Sequence, residues 1–243
     1  FYAPNPLNDL FTLSIGVDVG TEENDKLSLA AALMDEADTA SLSNEELQKE
    51  WYRLGSSFNF GAGENASGFS LSGLDEQFEA SLELMMSAIK QPTTDDETLE
   101  QLKSIVIKSR QELKSSPPAI ANALNLYNRY GEESPMLESL TTDEIRATQL
   151  DELLSLPSDL LDYEHTLAYT GSMPLEQLVE ALRRHHPLAG DLKQPPAYRF
   201  RTVREISANE VYVVDQQTAQ AQVRIEFADG EYNANDRVPA SVY

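Results

Sequence analysis

The stretch from Leu10 to Gly73 carries the two periodicities that define strands and helices, and it limits most strongly what this chain can fold into. Its first part has an apolar residue at every second position, the pattern of a strand with one buried face. These residues are Phe11, Leu13, Ile15, Val17 and Val19. After Gly20 and a polar turn, apolar residues recur three and four positions apart, at Leu27, Ala30, Ala31 and Met34. The stretch therefore predicts a strand followed by an amphipathic helix.

A second helix and a hairpin are predicted directly afterwards. Ser43 and Glu46 have the spacing of a capping box, and Gly55 stands where a left-handed residue ends a helix. Two short runs with aromatic residues then flank the glycine-containing segment 61–65. Runs of this kind around a glycine-containing segment predict an antiparallel hairpin.

The remainder of the chain continues to alternate between helical and strand patterns. Helices are predicted around 78–89, 96–113, 120–127, 142–144, 150–154 and 175–182, a loop over 132–140, and strands over 166–173, 211–214 and 223–227. Helices alternating with strands that are adjacent in sequence favour an α+β fold, with a mostly antiparallel sheet and helices packed on one face.

Composition disfavours several classes of partner and excludes sites that need cysteine. The chain has 41 acidic and 18 basic residues, a formal charge of −23, which disfavours nucleic acid and anionic membranes as partners. This charge is typical of a soluble surface, and it is also compatible with attraction of basic peptides. There is no cysteine, hence no disulfide and no thiol nucleophile. No apolar run reaches the ~20 residues of a membrane-spanning helix.

Other candidate sites have little support in the sequence. The adjacent His185 and His186 point about 100° apart on a helix and cannot chelate a metal together, and His165 has no partner motif. Ser172 lacks the surrounding pattern of a nucleophilic serine, and the glycines of 61–68 lie between strands and do not precede a helix. The sequence predicts neither a metal site of its own nor a nucleophilic centre.

The stretch from Leu10 to Gly73 contains the segment LGSSFNFGAGENASGFSLSG. It resembles the first half-unit of the inverted-motif zinc peptidases, the group of pitrilysin, insulin-degrading enzyme and mitochondrial processing peptidase. In active members the first helix carries H-x-x-E-H, which supplies two zinc ligands and the catalytic glutamate. The resemblance places these positions at Leu29, Ala32 and Leu33, and the third ligand near Glu100. It therefore implies a half-unit without catalytic residues, metal ligands or a cofactor of its own.

The resemblance also implies a role for this half-unit. It would enclose and bind a polypeptide substrate in a larger zinc metalloendopeptidase, while another half-unit, in the same chain or a partner subunit, supplies zinc and hydrolysis. By analogy, substrate would add as a strand at an edge formed by Ser57, Phe58, Asn59, Phe60 and Gly61. The alternative for this segment is an ordinary sheet strand with Phe58 or Phe60 in the core. The alternative for the whole protein is a structural or assembly subunit without proteolysis.

Two expectations concern the extent and location of the protein. Residues 1–190 are interpreted as the half-unit, and residues 191–243 as a linker and the first strands of a next half-unit, because 223–236 repeat the pattern of 13–25. The chain is accordingly expected to be a piece of a longer protein. The usual location of proteins in the resembled family and the absence of cysteine favour a periplasmic location, with the cytoplasm as the alternative.

Overall fold

The alternation in the first strand places every second side chain in the core of a five-stranded sheet. A computed structural model describes residues 1–188, 190–215 and 221–227. The strands are β1 (Tyr2–Pro4), β2 (Leu10–Val17), β3 (Asp38–Thr39), β4 (Ser57–Ala62), β5 (Ser67–Leu74), β6 (Pro92–Thr93) and β7 (His165–Gly171). The helices are α1 (Leu27–Met34), α2 (Asn44–Leu54), α3 (Phe78–Lys90), α4 (Asp96–Leu113), α5 (Pro117–Tyr130), α6 (Pro135–Glu138), α7 (Thr142–Ala147), α8 (Leu150–Leu160) and α9 (Leu175–His185).

The chain divides into two compact units. Of the described residues, the first unit comprises those in 1–109 and 139–200, and the second comprises 110–138 and those after 200. Within the second unit, the backbone N–H of Arg204 donates to the carbonyl of Arg129 at 2.8 Å. The guanidinium of Arg201 lies 2.7 Å from the carboxylate of Glu138. These contacts join the segment after residue 200 to the helices of its own unit, while the predicted boundary after residue 190 stays a prediction.

The main sheet has the strand order β1-β7-β2-β5-β4. Strand β2 is antiparallel to both of its neighbours, β5 and β7, and β4 is antiparallel to β5 through the predicted hairpin. Strand β1 runs parallel to β7 and is the one parallel pair in this sheet. A short antiparallel pair, β3 with β6, lies outside it. The predicted α+β fold with a mostly antiparallel sheet is confirmed.

One face of the sheet is covered by helices and the other is exposed. The inward side chains of β2 are almost wholly buried, whereas Thr12 and Gly16, on the opposite face, are exposed. The buried cluster joins this face to residues of α1, α2, α3, α8 and α9. Because burial of apolar area is the main favourable term in folding, the period-2 pattern of β2 determines which face the helices cover.

The second helix begins and ends where the sequence predicts. The Ser43 hydroxyl accepts from the Glu46 backbone N–H at 3.4 Å, and the Glu46 carboxylate accepts from the Ser43 N–H at 3.0 Å. Gly55 has a φ of 59° and ends the helix in the left-handed region. Both signals are local, which is why the sequence alone suffices to place them.

The predicted strands near the end of the chain are not formed in this structure. Residues 211–214 and 223–227 have no strand assignment, and Phe227 is 88% exposed. A strand requires a hydrogen-bonded neighbour, and no partner strand pairs with these segments in the described residues. Residues 228–236 of the predicted repeat lie outside the described residues. The segment 132–140 is also more ordered than the predicted loop, since it contains α6.

Two glycines, Gly16 within β2 and Gly20 shortly after it, offer a matched test of packing. A Cβ added at Gly20 would lie 2.3 Å from the carbonyl oxygen of Glu64, whereas one added at Gly16 would have no atom within 4 Å. We expect Gly20→Ala to lower the free energy of unfolding by about 2 kcal/mol, because the backbone of the hairpin must shift. Gly16→Ala should change it by less than about 1 kcal/mol. Urea denaturation of both variants tests this, and equal effects would contradict the close approach at Gly20.

Candidate functional site

The five residues predicted as a peptide-binding edge lie in β4, the last strand of the main sheet. Strand β4 pairs with β5 on one side, and in the described part of the chain no strand pairs with its other side. The structure therefore brings Ser57, Phe58, Asn59, Phe60 and Gly61 together at a sheet edge. Their binding of peptide stays a prediction.

The backbone groups that face outward follow from the hairpin geometry. Gly63 N–H donates to the carbonyl of Ala66 at 2.8 Å, so these two residues form the hydrogen-bonded pair next to the turn. In an antiparallel ladder such pairs alternate with pairs that make no bonds to each other. With Gly61 opposite Gly68 and Phe60 opposite Phe69, the alternation directs the N–H and C=O groups of Phe58, Phe60 and Ala62 away from β5. Within the described residues these outward groups have no hydrogen-bond partner.

The two phenylalanine side chains of β4 pack against aromatic residues of the core. Phe60 is buried and stacks on Phe69, with ring centroids 4.8 Å apart. Phe58 is half-buried and stacks on Trp51 at 5.9 Å. The burial of Phe60 agrees with the alternative interpretation, an ordinary strand with a phenylalanine in the core. Buried side chains and an open backbone edge are compatible, because the side chains of a strand point out of the sheet while its N–H and C=O groups point along the sheet towards the next strand.

A cavity of about 240 Å³ lies beside this edge. Five consecutive residues, Ser56 to Phe60, line it. Because consecutive side chains of a strand point to opposite faces, a cavity touching all of them must border the backbone itself. The other walls come from the end of α1, the start of β3, α2 and α3, and they include Trp51, Leu47 and the acidic residues Asp35 and Asp38.

The positions that correspond to the zinc motif do not fit a metal. Leu29 is 4% exposed and Leu33 is 1% exposed, and both belong to the apolar core, while Ala32 is half-buried. None of these side chains has a donor atom for zinc, whose ligands are nitrogen, oxygen and sulfur. The third position, Glu100, lies 2.7 Å from the ammonium of the buried Lys103. Among the described residues no group of three or more His, Asp or Glu is placed to hold a metal ion.

A contact between two histidines could not be read from the sequence. His165 Nε2, at the start of β7, lies 2.8 Å from Nε2 of His186, at the end of α9. His165 Nδ1 lies 2.7 Å from the carbonyl of Tyr163, an acceptor, so His165 carries its proton on Nδ1. His186 then donates its Nε2 proton to His165, and its own Nδ1 is buried without a partner in the described structure. Desolvation, followed by the charges of His165 and Lys90, lowers the pKa of His186 to about 4.

Comparison with known proteins identifies the fold. No family model matches the sequence, and no curated protein matches it. Among solved structures, the inactive domain of an M16 peptidase from Pseudomonas fluorescens matches with a TM-score of 0.64 at 17% identity, over 80% of this chain and 50% of that chain. The chain has the fold of an M16 peptidase half-unit. The predicted resemblance to the inverted-motif zinc peptidases is thereby confirmed at the level of the fold.

Two larger proteases contain the same M16 fold. A mutant of the ferredoxin protease FusC, in complex with Arabidopsis ferredoxin, matches with a TM-score of 0.71 at 15% identity, over 84% of this chain and 23% of that one. The periplasmic protease PqqL from Escherichia coli matches with a TM-score of 0.65 at 14% identity, over 84% and 23%. The chain thus spans half the length of the first neighbour and about a quarter of the other two. In the described residues, no helix is long and apolar enough to cross a membrane.

Proposed function

We propose that this chain is a non-catalytic half-unit of a larger M16-type zinc metallopeptidase, which binds extended polypeptide along the free edge of β4 while another half-unit supplies zinc and hydrolysis. The fold supports the first part of this proposal. The apolar side chains at the motif positions Leu29, Ala32 and Leu33 support a non-catalytic role, because they provide neither a zinc ligand nor a base for the attacking water.

The edge of β4 that no strand of the described residues covers is the observation that carries the proposal. Phe58, Phe60 and Ala62 offer alternating donors and acceptors in a fixed line, and stacking of Phe58 and Phe60 holds that line rigid. An added strand satisfies these groups with its own backbone and needs no particular sequence. Exposed edges are a liability for aggregation, so an edge that no strand of the described residues covers is better explained by a partner that covers it.

The proposal also covers the class of substrate and the cellular location. The FusC neighbour is in complex with a polypeptide, ferredoxin, and PqqL is a periplasmic protease. By analogy we propose a polypeptide substrate, other half-units as partners and a periplasmic location for this chain. Zinc is expected in the active half-unit of the parent protein.

Amide hydrogen exchange would test edge binding residue by residue. The expected result of adding an unstructured peptide at saturating concentration is slower exchange at Phe58, Phe60 and Ala62, whose N–H groups face outward. Exchange at Asn59 and Gly61 should change little, since these groups already bond to β5. Nuclear magnetic resonance resolves the individual amides, and amides of the opposite edge strand β1 are the internal control.

The alternating pattern separates edge pairing from other modes of binding. Equal protection of all residues from 57 to 62 would indicate a partner lying over the face of the sheet, and would contradict the proposal. No protection with any peptide would favour the alternative, a structural or assembly subunit.

A further inference from the structure

Resting on the proposed function, we infer that the cavity beside β4 selects a lysine or arginine side chain of the bound polypeptide. The cavity is therefore a specificity pocket for the peptide that the β4 edge holds. Its walls, its position and its charge each contribute to this assignment.

The position of the cavity relative to the edge determines which part of a ligand reaches it. It borders the backbone of residues 56–60 and extends towards α1 and α2, on the face covered by helices. A strand added to β4 continues the pleat, so side chains opposite Phe58 and Phe60 point to the same face as these two residues. One of those side chains would enter the cavity. Its volume of about 240 Å³ is below the ~300 Å³ of small-molecule pockets and suits one long side chain.

The lining combines an apolar surface, which suits the methylene part of a basic side chain, with two acidic residues, which suit its charged end. Trp51, Phe58 and Leu47 provide aromatic and apolar surface for a methylene stem. Asp35 and Asp38 are the charged residues of the lining, and the described lining includes no lysine or arginine. One oxygen of Asp38 accepts the N–H of Asn44 at 2.6 Å, which fixes that carboxylate at the start of α2. A basic side chain matches this arrangement, since its stem is apolar, its end is cationic and aromatic rings attract cations.

The carboxylate of Asp35 is the better of the two for mutation. It follows the last residue of α1, where a negative charge opposes the helix dipole, so Asp35→Asn should leave the fold intact. Glu36, the next residue, is an exposed carboxylate that does not line the cavity. Glu36→Gln is therefore a control with the same change in net charge, one position away.

The experiment compares three synthetic peptides that share one serine- and threonine-rich sequence and differ at one central position, which is lysine, norleucine or glutamate. We expect the lysine peptide to bind about fivefold more tightly than the norleucine peptide, and the glutamate peptide to bind most weakly. Asp35→Asn should remove most of the preference for lysine, and Glu36→Gln should keep it. Raising the salt concentration should reduce the preference in the unmodified protein, because the acidic residues of the lining are open to solvent.

The outcomes separate this inference from the proposed function. Equal affinities for lysine and glutamate peptides, with the alternating protection of β4 intact, would overturn the pocket and leave the edge. A preference for lysine that Asp35→Asn and Glu36→Gln reduce equally would show general charge attraction and would also overturn the pocket. Absence of β4 protection with every peptide would refute the proposed function itself.

Discussion

Replacing Leu29 and Leu33 together with histidine should unfold this protein and should not create a zinc site. The two side chains are 4% and 1% exposed and lie in the core that joins α1 to the sheet. Each substitution removes a buried apolar side chain and introduces a polar imidazole into the apolar core. Such changes cost about 3 kcal/mol or more each, and the total approaches the 5–15 kcal/mol by which a domain is stable. Circular dichroism and urea denaturation measure the loss.

A matched leucine on the surface provides the control. Leu175, in the first turn of α9, is 45% exposed, and Leu175→His should change the free energy of unfolding by less than about 1 kcal/mol. A double variant that stays folded and gains stability when zinc is added would contradict the interpretation. It would show that these positions can reach a metal together.

Acidification should destabilise the first unit through the histidine pair. Burial lowers the pKa of His186 from 6.5 to about 4. A group whose pKa is lower in the folded state stabilises the fold fully above its unfolded pKa, and this contribution is lost as pH falls from about 6.5 to 4. The shift corresponds to roughly 3 kcal/mol. The physical reason is that a proton on Nδ1 of His186 would be a buried donor without a partner.

His186→Gln separates this effect from the titration of carboxylates. The glutamine amide can still donate to His165, but it takes up no proton. We expect the variant to lose about 3 kcal/mol less than the unmodified protein between pH 6.5 and 4, measured by denaturation at each pH. A direct titration of His186 by nuclear magnetic resonance should give a value about 4. A value close to 6.5, or parallel stability curves for both proteins, would be contrary to the paired arrangement.

The local elements of this protein follow from its sequence because their causes are local. The capping box of Ser43 and Glu46, the left-handed Gly55 and the period-2 pattern of β2 each act within a few residues. The same holds for the loss of the zinc motif, since leucine and alanine lack donor atoms in any fold. The sequence also predicts the strand that carries the candidate edge.

The predicted strands near the end of the chain failed for a non-local reason. The segments 211–214 and 223–227 have strand periodicity, yet a strand forms only with a neighbour to bond to. Periodicity reports which residues favour an extended chain, and it contains no information on whether a partner is present. Within the predicted loop 132–140, residues Pro135–Glu138 form the short helix α6.

The sequence by itself determined the fold class, the order of the main elements and the absence of zinc-binding side chains at the motif positions. The edge position of β4 was expected only by analogy, and the tertiary structure decided it; the tertiary structure also decided that a cavity with two acidic residues in its lining borders β4 and that His165 contacts His186. These features depend on residues far apart in the chain, such as a histidine pair separated by 21 positions. Packing of the sheet against the helices brings these residues together, and the local sequence pattern does not show which distant residues will be in contact.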